Sequence, residues 1–307
     1  MTYYTRTSFP GVMGQIWEIS DAKAVCLSVT NARHGPGTYF EAENGEDIFD
    51  AIRRQASGFF PPSGENPFTR LELDPNHFYP RMARRPSNVG SNAFGFYPGY
   101  ENDRDLIAIS KSQLLVLTDM LGSICQTVHP VEQNLGVFGH DIRNLLILAA
   151  TEFEAQCRGV LTANGAVARN TADYVKLLRP MRLKDYKIAF TKFGWLDPIA
   201  PFESWEPSAP TQSLAWYDAY SATKHDREVN FSAATLRHCL SAMAGIVALL
   251  IAQFGGRALG YGAEAFGQER EMSFRIAAWP SWEPGEVYTT VPAFGGAWTP
   301  VSFPFIG

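Results

Sequence analysis

The chain has 307 residues, of which 46% are hydrophobic and 19% charged, with a formal net charge of −5. That length can bury a sizeable core, as one large domain or two modest ones, and the composition excludes wholesale disorder. The negative balance argues against a protein that grips nucleic acid through a broad positive surface, and leaves room only for a local basic patch.

In chain order, the N-terminal MTYYTRTSFPGVMGQ lacks the basic-then-apolar layout of a signal peptide. Residues 1–109 read as a mixed, irregular, aromatic-rich region. Within it AVCLSV at 24–29 is a short β-type run. The segment EDIFDAIRRQ at 46–55 has helical spacing, with acids first and arginines last, as the helix dipole prefers. From 59 to 100 the density of Pro, Gly, Asn and aromatic residues predicts loop structure packed by its own rings.

Ser110 is placed to cap a helix over 111–128, which Pro130 blocks from continuing. A second helix fits 140–161, with Ile142, Leu145, Leu146, Ala149, Phe153, Cys157 and Val160 on one apolar stripe and Asn164-Gly165 as its stop. A short helix fits 171–179, a strand 186–190, and a Pro-rich loop 197–210. Two further helices fit 212–227 and 232–254, the last strongly apolar and ended by Gly255-Gly256. Its apolar run, 239–254, is shorter than the ~20 residues of a membrane span, so a buried core helix is expected and no membrane partner. Residues 258–307 form a Gly/Trp/Pro-rich tail with short strands predicted at 273–279 and 286–291. The pattern is mainly α with some β (α+β): a four- to five-helix bundle over 110–257, flanked by irregular, partly β regions.

The four cysteines, Cys26, Cys125, Cys157 and Cys239, are widely separated, with no C-x-x-C. Free, mostly buried thiols in a reducing cytoplasm are the expectation. The chain has no phosphate-binding P-loop, no G-x-S-x-G elbow, no H-E-x-x-H helix and no G-x-G-x-x-G turn, and its histidines do not pair at metal-ligand spacing. No metal or cofactor is therefore expected.

The stretch WYDAYSATKHDREVNF at 216–231 remains. On a helix Tyr217, Ser221 and His225 form one row, and Trp216, Tyr220 and Lys224 the next. A purely structural reason exists for Lys-His-x-Arg here, because cations are favoured at a helix C-terminus. The functional alternative is a polar cleft in which His225 exchanges a proton while Lys224 and Arg227 hold a phosphate, as metal-independent RNA cleavage requires.

A bundle with a polar, His-containing turn before its last apolar helix resembles the HEPN superfamily, the helical nucleotide-binding and ribonuclease-like domains of prokaryotic defence and toxin–antitoxin systems. The resemblance lies in residues 214–250, with an aromatic, a Tyr, the Lys-His pair and then the apolar helix. It extends to the helix 142–161, and the whole covers about 110–255. It implies a HEPN-like bundle, RNA or a nucleotide as ligand, and a site built by one chain or shared across a homodimer. His225 would match the family histidine and Glu152 or Glu154 its acidic position. Glu152 is taken as the orienting carboxylate. Nuclease members carry an Arg shortly before the His on the same helix, and here Asp218, Ala219 and Tyr220 stand at those positions. A non-catalytic binding or assembly module, with His225 structural, is therefore the alternative to a ribonuclease.

Charge supplies one more candidate. Between 169 and 192 seven Lys/Arg face two Asp. A solvated face is one explanation. A phosphate-backbone contact through Lys176, Arg179, Arg182, Lys184 and Lys187 is the other. Arg81, Arg84 and Arg85 form a second basic cluster beside Tyr79, Phe94, Phe96 and Tyr97, either stacking bases or pinning the loop by local packing.

Overall fold

A computed structural model describes residues 1–6, 14–29, 37–84, 95–259, 273–291 and 297–305. The chain divides into two compact units. One comprises Met1–Phe78, Arg84–Ala93 and Trp282–Val301; the other comprises Tyr79–Ala83, Phe94–Ser281 and Ser302–Gly307. Both helix and sheet are present, as the α+β reading expects.

The first unit is built on a five-stranded antiparallel sheet, where the sequence suggested a mixed, irregular and only partly β region. Its strands are β1 (Thr2–Arg6), β2 (Gln15–Ile19), β3 (Lys23–Cys26), β4 (Tyr39–Glu41) and β5 (Phe68–Arg70), in the order β4-β3-β2-β1-β5. In β2, Trp17 and Ile19 face a core shared with helix α1 (Ile48–Gln55), while Ile16 packs on the other face against Leu71 and Val291. A central strand covered on both faces loses the alternation that marks a half-exposed strand. Trp17 is fully buried among Phe40, Phe59 and Phe68, with ring centroids 5.7–5.9 Å away. Helix α1 starts where expected: the Asp47 carboxylate accepts from the Phe49 and Asp50 amides, and Ile48, Ala51 and Ile52 turn inward. A short parallel pair, β6 (His77–Phe78) with β9 (Thr299–Pro300), belongs to the same unit. No strand forms at 286–291. That segment turns, and its amides and carbonyls are used in single contacts, such as the Val291 amide to Asn76 Oδ1 at 3.1 Å.

The second unit is helical. It contains α2 (Arg104–Thr127), α3 (His140–Ala163), α4 (Thr171–Tyr174), α5 (Ala215–His225), α6 (Arg227–Asn230) and α7 (Leu236–Ala258). An antiparallel pair, β7 (Lys187–Phe190) and β8 (Phe274–Ala278), completes it and confirms two strand expectations. Helix α7 runs through the core, with Cys239, Leu240 and all residues from Ala242 to Phe254 except Gly245 and Gln253 among its buried apolar side chains. Among the described residues, two helices are long and apolar enough to cross a membrane by length and composition. One of them, Leu236–Gly256, is 94% buried over its most apolar stretch, as a core helix is.

Several boundaries differ from the sequence reading. Helix α2 begins at Arg104, so Ser110 is not a cap: it lies inside the helix and is buried. The helix expected at 171–179 is α-helical only to Tyr174, then tightens into a 3-10 turn before Pro180. The helix expected at 212–227 starts at Ala215 and stops at His225, because Asp226 leaves the helical region at φ −138°, ψ 81° and its side chain caps α6 by accepting from the Val229 amide. Near the end of α7, Gly255 has φ +77°, and a Cβ there would lie 2.6 Å from the Gly95 carbonyl oxygen, so only glycine fits.

Candidate polar site on helix α3

Phe153 organises the site. Its ring is fully buried, 5.1 Å from Trp216, 5.7 Å from Trp205, 5.8 Å from Phe202, 6.1 Å from Tyr217 and 6.5 Å from Tyr174. Phe202 and Trp205 come from the Pro-rich loop, which is anchored by these two aromatic side chains and by an antiparallel backbone bridge between Ile199 and Ile188 of β7. The cluster brings Tyr174 and Tyr217 to the neighbouring residue of α3, Glu154.

Around Glu154 the polar groups converge. The Tyr217 hydroxyl donates to Glu154 Oε1 at 2.6 Å. Arg158, one turn on, lies 3.6 Å from Glu154 Oε2 and donates to the Tyr174 hydroxyl at 3.1 Å. On α5 the Lys224 ammonium donates to the Tyr220 hydroxyl at 2.7 Å. Tyr220 packs edge-on against Tyr217, with centroids 5.2 Å apart. Glu154 is 15% exposed and Arg158 44%, and Lys224 is exposed, so a half-buried carboxylate and buried tyrosines form the floor and two cations the rim.

The electrostatics follow from that layering. Burial, then the bond to Glu154, pushes the Tyr217 hydroxyl well above its ordinary range, so it stays a donor. Burial raises Tyr174 against the opposing pull of Arg158. Burial tends to lower Arg158, but Tyr174 and Glu154 outweigh it and the net shift is upward. Lys224 is raised, first by its bond to Tyr220. Both rim cations therefore remain charged across the neutral range. Two cations beside hydroxyl groups suit a phosphate or carboxylate ligand.

The residues picked from sequence are distributed differently. Lys224 belongs to this site. His225 is the last residue of α5, is exposed, and its side chain makes no hydrogen bond or ion pair among the described residues. Arg227 opens α6, and its side chain lies outside the described part of the structure. Glu152 is not brought together with His225. Two residues from Glu154, it points to the opposite side of α3, where its carboxylate accepts from Gln156 Nε2 at 2.6 Å. Of the five basic residues considered for nucleic-acid contact, Arg179, Lys184 and Lys187 are exposed. Lys176 is exposed but 3.2 Å from Asp173, and the half-buried Arg182 lies 3.9 Å from Asp185. Of the second basic cluster, Arg84 is buried against Glu72 and 5.2 Å from the Trp282 ring, a packing role. Arg85 and Phe94 lie outside the described residues.

Arg81 has the least expected position. With φ +55° it projects into the helical unit, where Nε donates to Gln253 Oε1 at 2.9 Å and Nη2 to Gln156 Oε1 at 2.7 Å. Gln156 Nε2 also reaches Ser110 Oγ at 3.1 Å. Gly159 makes room for it, since a Cβ there would lie 1.8 Å from Arg81 Nη1. Burial lowers the Arg81 pKa, partly offset by Asp103, Tyr97, Cys157 and Glu152.

Sequence reasoning missed Arg158 and Tyr174. Glu154 and Arg158 stand one helical turn apart, a visible i,i+4 pair, but such pairs are common on solvated faces and gave no reason to prefer this one. Among the described residues no group of three or more His, Cys, Asp or Glu could hold a metal. In comparisons with protein-family models, curated proteins and solved structures, no match to the chain was found.

Proposed function

We propose that the helical unit is a HEPN-like bundle that binds a phosphate-bearing ligand, a nucleotide or RNA, at the notch formed by Arg158 and Lys224 over Glu154, Tyr174, Tyr217 and Tyr220. The observation that supports this reading is the pairing of two accessible cations with buried hydroxyl groups where α3, α4 and α5 meet. Exposed ion pairs alone add little to stability, so a purely structural role accounts poorly for a charged rim set on an aromatic floor. The setting would be cytoplasmic, in a bacterial defence or toxin–antitoxin system. The role is that of a binding or assembly module, with His225 an exposed side chain at a helix end. Isothermal titration of a mononucleotide and a short RNA tests it. Wild-type protein is expected to bind, Arg158→Ala/Lys224→Ala to lose binding, and His225→Ala to keep it. Wild-type affinity in the double variant would sink the reading.

One observation favours a second reading, a metal-independent ribonuclease. His225 is exposed and follows Lys224 directly, so a strand held by Lys224 could reach its imidazole for proton transfer. Cleavage of total RNA in EDTA by wild type, lost in an equally folded His225→Ala, would establish it. Equal cleavage by both, or none by either, would remove His225 from any catalytic role.

A further inference from the structure

We infer that the aromatic and cationic cluster at the start of α3, built from Phe138, Phe231, His140 and Arg143, is a nucleobase-stacking subsite for a single strand whose phosphate occupies the Arg158–Lys224 notch. The inference rests on the phosphate reading above and adds to it the class of ligand, single-stranded rather than duplex.

Phe138 stands beside the exposed Val137 and the half-buried Phe231, so the apolar surface here is a patch and not a single exposed side chain. Phe138 is 50% exposed. Its ring meets Phe231 edge-on at 6.0 Å, and the His140 ring lies 5.0 Å from Phe231. The Arg143 guanidinium carbon sits 5.6 Å from the Phe231 centroid. Arg143 Nη2 bonds only the neighbouring Asn144 side chain at 2.8 Å, and no ion pair to it is present among the described residues. A flat apolar ring beside a cation and an imidazole matches a nucleobase with its phosphate, because every base offers a π-face and every linkage a negative charge.

The cluster is held in place by backbone. The Leu236 amide donates to the Val137 carbonyl and the Arg237 amide to the Leu135 carbonyl, both at 2.9 Å, while Phe138 bridges to Thr235. The buried Thr223 hydroxyl lies between the Ala219 and Asn230 carbonyls, at 2.7 and 3.2 Å, and shares its one proton between the end of α5 and the segment that carries Phe231. Pre-ordered rings lose little freedom when a base stacks on them.

The cluster and the notch also share a face. On an α-helix of 3.6 residues per turn, His140, Arg143, Glu154 and Arg158 fall within one sector of α3 roughly 60° wide. Arg143 and Arg158 are ~22 Å apart along the axis by helix rise, a span that several nucleotides of extended strand would cover. A duplex buries its base faces and could use the notch but not the rings.

Fluorescence anisotropy with a labelled RNA of about eight nucleotides, the same sequence as a duplex, and titration of a mononucleotide test the inference. Phe138→Ala is expected to weaken single-strand binding roughly tenfold, the worth of one stacked base. Phe138→Trp should restore it, and mononucleotide affinity should be unchanged in both. Wild-type single-strand affinity in Phe138→Ala, while Arg158→Ala/Lys224→Ala loses it, would overturn the stacking subsite and leave the notch standing. Equal weakening of the mononucleotide in Phe138→Ala would also overturn it, since the effect would then come through the fold. No binding of any of the three by wild type would overturn notch and subsite together.

Discussion

Glu152 and Glu154 are two residues apart on one helix, yet they serve opposite surroundings. On the Glu152 side each polar group meets another protein group: Glu152 with Gln156, Gln156 with Ser110 and Arg81, and Arg81 with Gln253. Gln253 is fully buried and Gln156 nearly so. On the Glu154 side the acid and the tyrosines are satisfied below, while Arg158 and Lys224 remain at the surface. The closed network fixes the segment around Arg81 against α3 and α7, because leaving any member unpaired carries a desolvation penalty. The open one leaves charge accessible at little cost to the fold. Partner geometry, not residue type, separates a structural arginine from a binding one.

The largest effect should come from Phe153→Ala, since Phe153 supports the open side from below. Removing it is expected to cost ~3–5 kcal/mol in chemical denaturation and to abolish nucleotide binding as Tyr217 and Tyr174 lose their support. Retained affinity in a destabilised protein would break the link between floor and rim. Arg81→Met comes next. It leaves two buried glutamine side chains short of a partner and should cost ~2–3 kcal/mol with no change in nucleotide affinity. A change in affinity would show that the two sides of α3 are not independent. Tyr217→Phe, which deprives Glu154 of its donor, should cost about 1 kcal/mol and weaken binding less than the loss of either rim cation. Arg158→Ala and Lys224→Ala should each leave stability within about 0.5 kcal/mol of wild type, the reverse of Arg81.

The smallest expected effect is that of pH on affinity. Lys224 is raised above its ordinary value, so its charge is fully present below that value and is lost only at more alkaline pH. Binding of an already dianionic phosphate should therefore be flat from about pH 7 to 9, above its second ionisation near 6. A fall of affinity through the range where histidine loses its proton would instead make His225 the binding cation.

How much of this was legible in the sequence varies with how local its cause is. Helices α1 and α3 and the strands β3, β7 and β8 were legible because their periodicity, caps and stops lie within the segments themselves. The start of α2 was misplaced because Ser110 has the right chemistry for a cap, whereas the helix begins at Arg104 and Ser110 is buried inside it. The five-stranded sheet was hidden because β2 is buried on both faces and β1 pairs with β5, some sixty residues away in sequence. At the site, Lys224 was found because it stands in a dense polar stretch. Arg158 and Tyr174 were not, since only the packing of Phe153 brings them to Glu154. The choice of Glu152 over Glu154 could not be made from spacing alone, because it depends on which side of α3 receives α5.

A phosphate site on the open side of α3 is tested most directly by the salt dependence of binding there. Affinity for a short single-stranded RNA would be measured over a salt series for wild type and Arg158→Ala/Lys224→Ala, with Arg81→Met as a destabilised control. Removing two phosphate-contacting cations should flatten the slope of log affinity against log salt by about 0.7 for each cation on a single strand, while Arg81→Met keeps the wild-type slope. An unchanged slope in the double variant would contradict the account and place the RNA contact elsewhere, with the exposed Arg179, Lys184 and Lys187 as the next residues to remove.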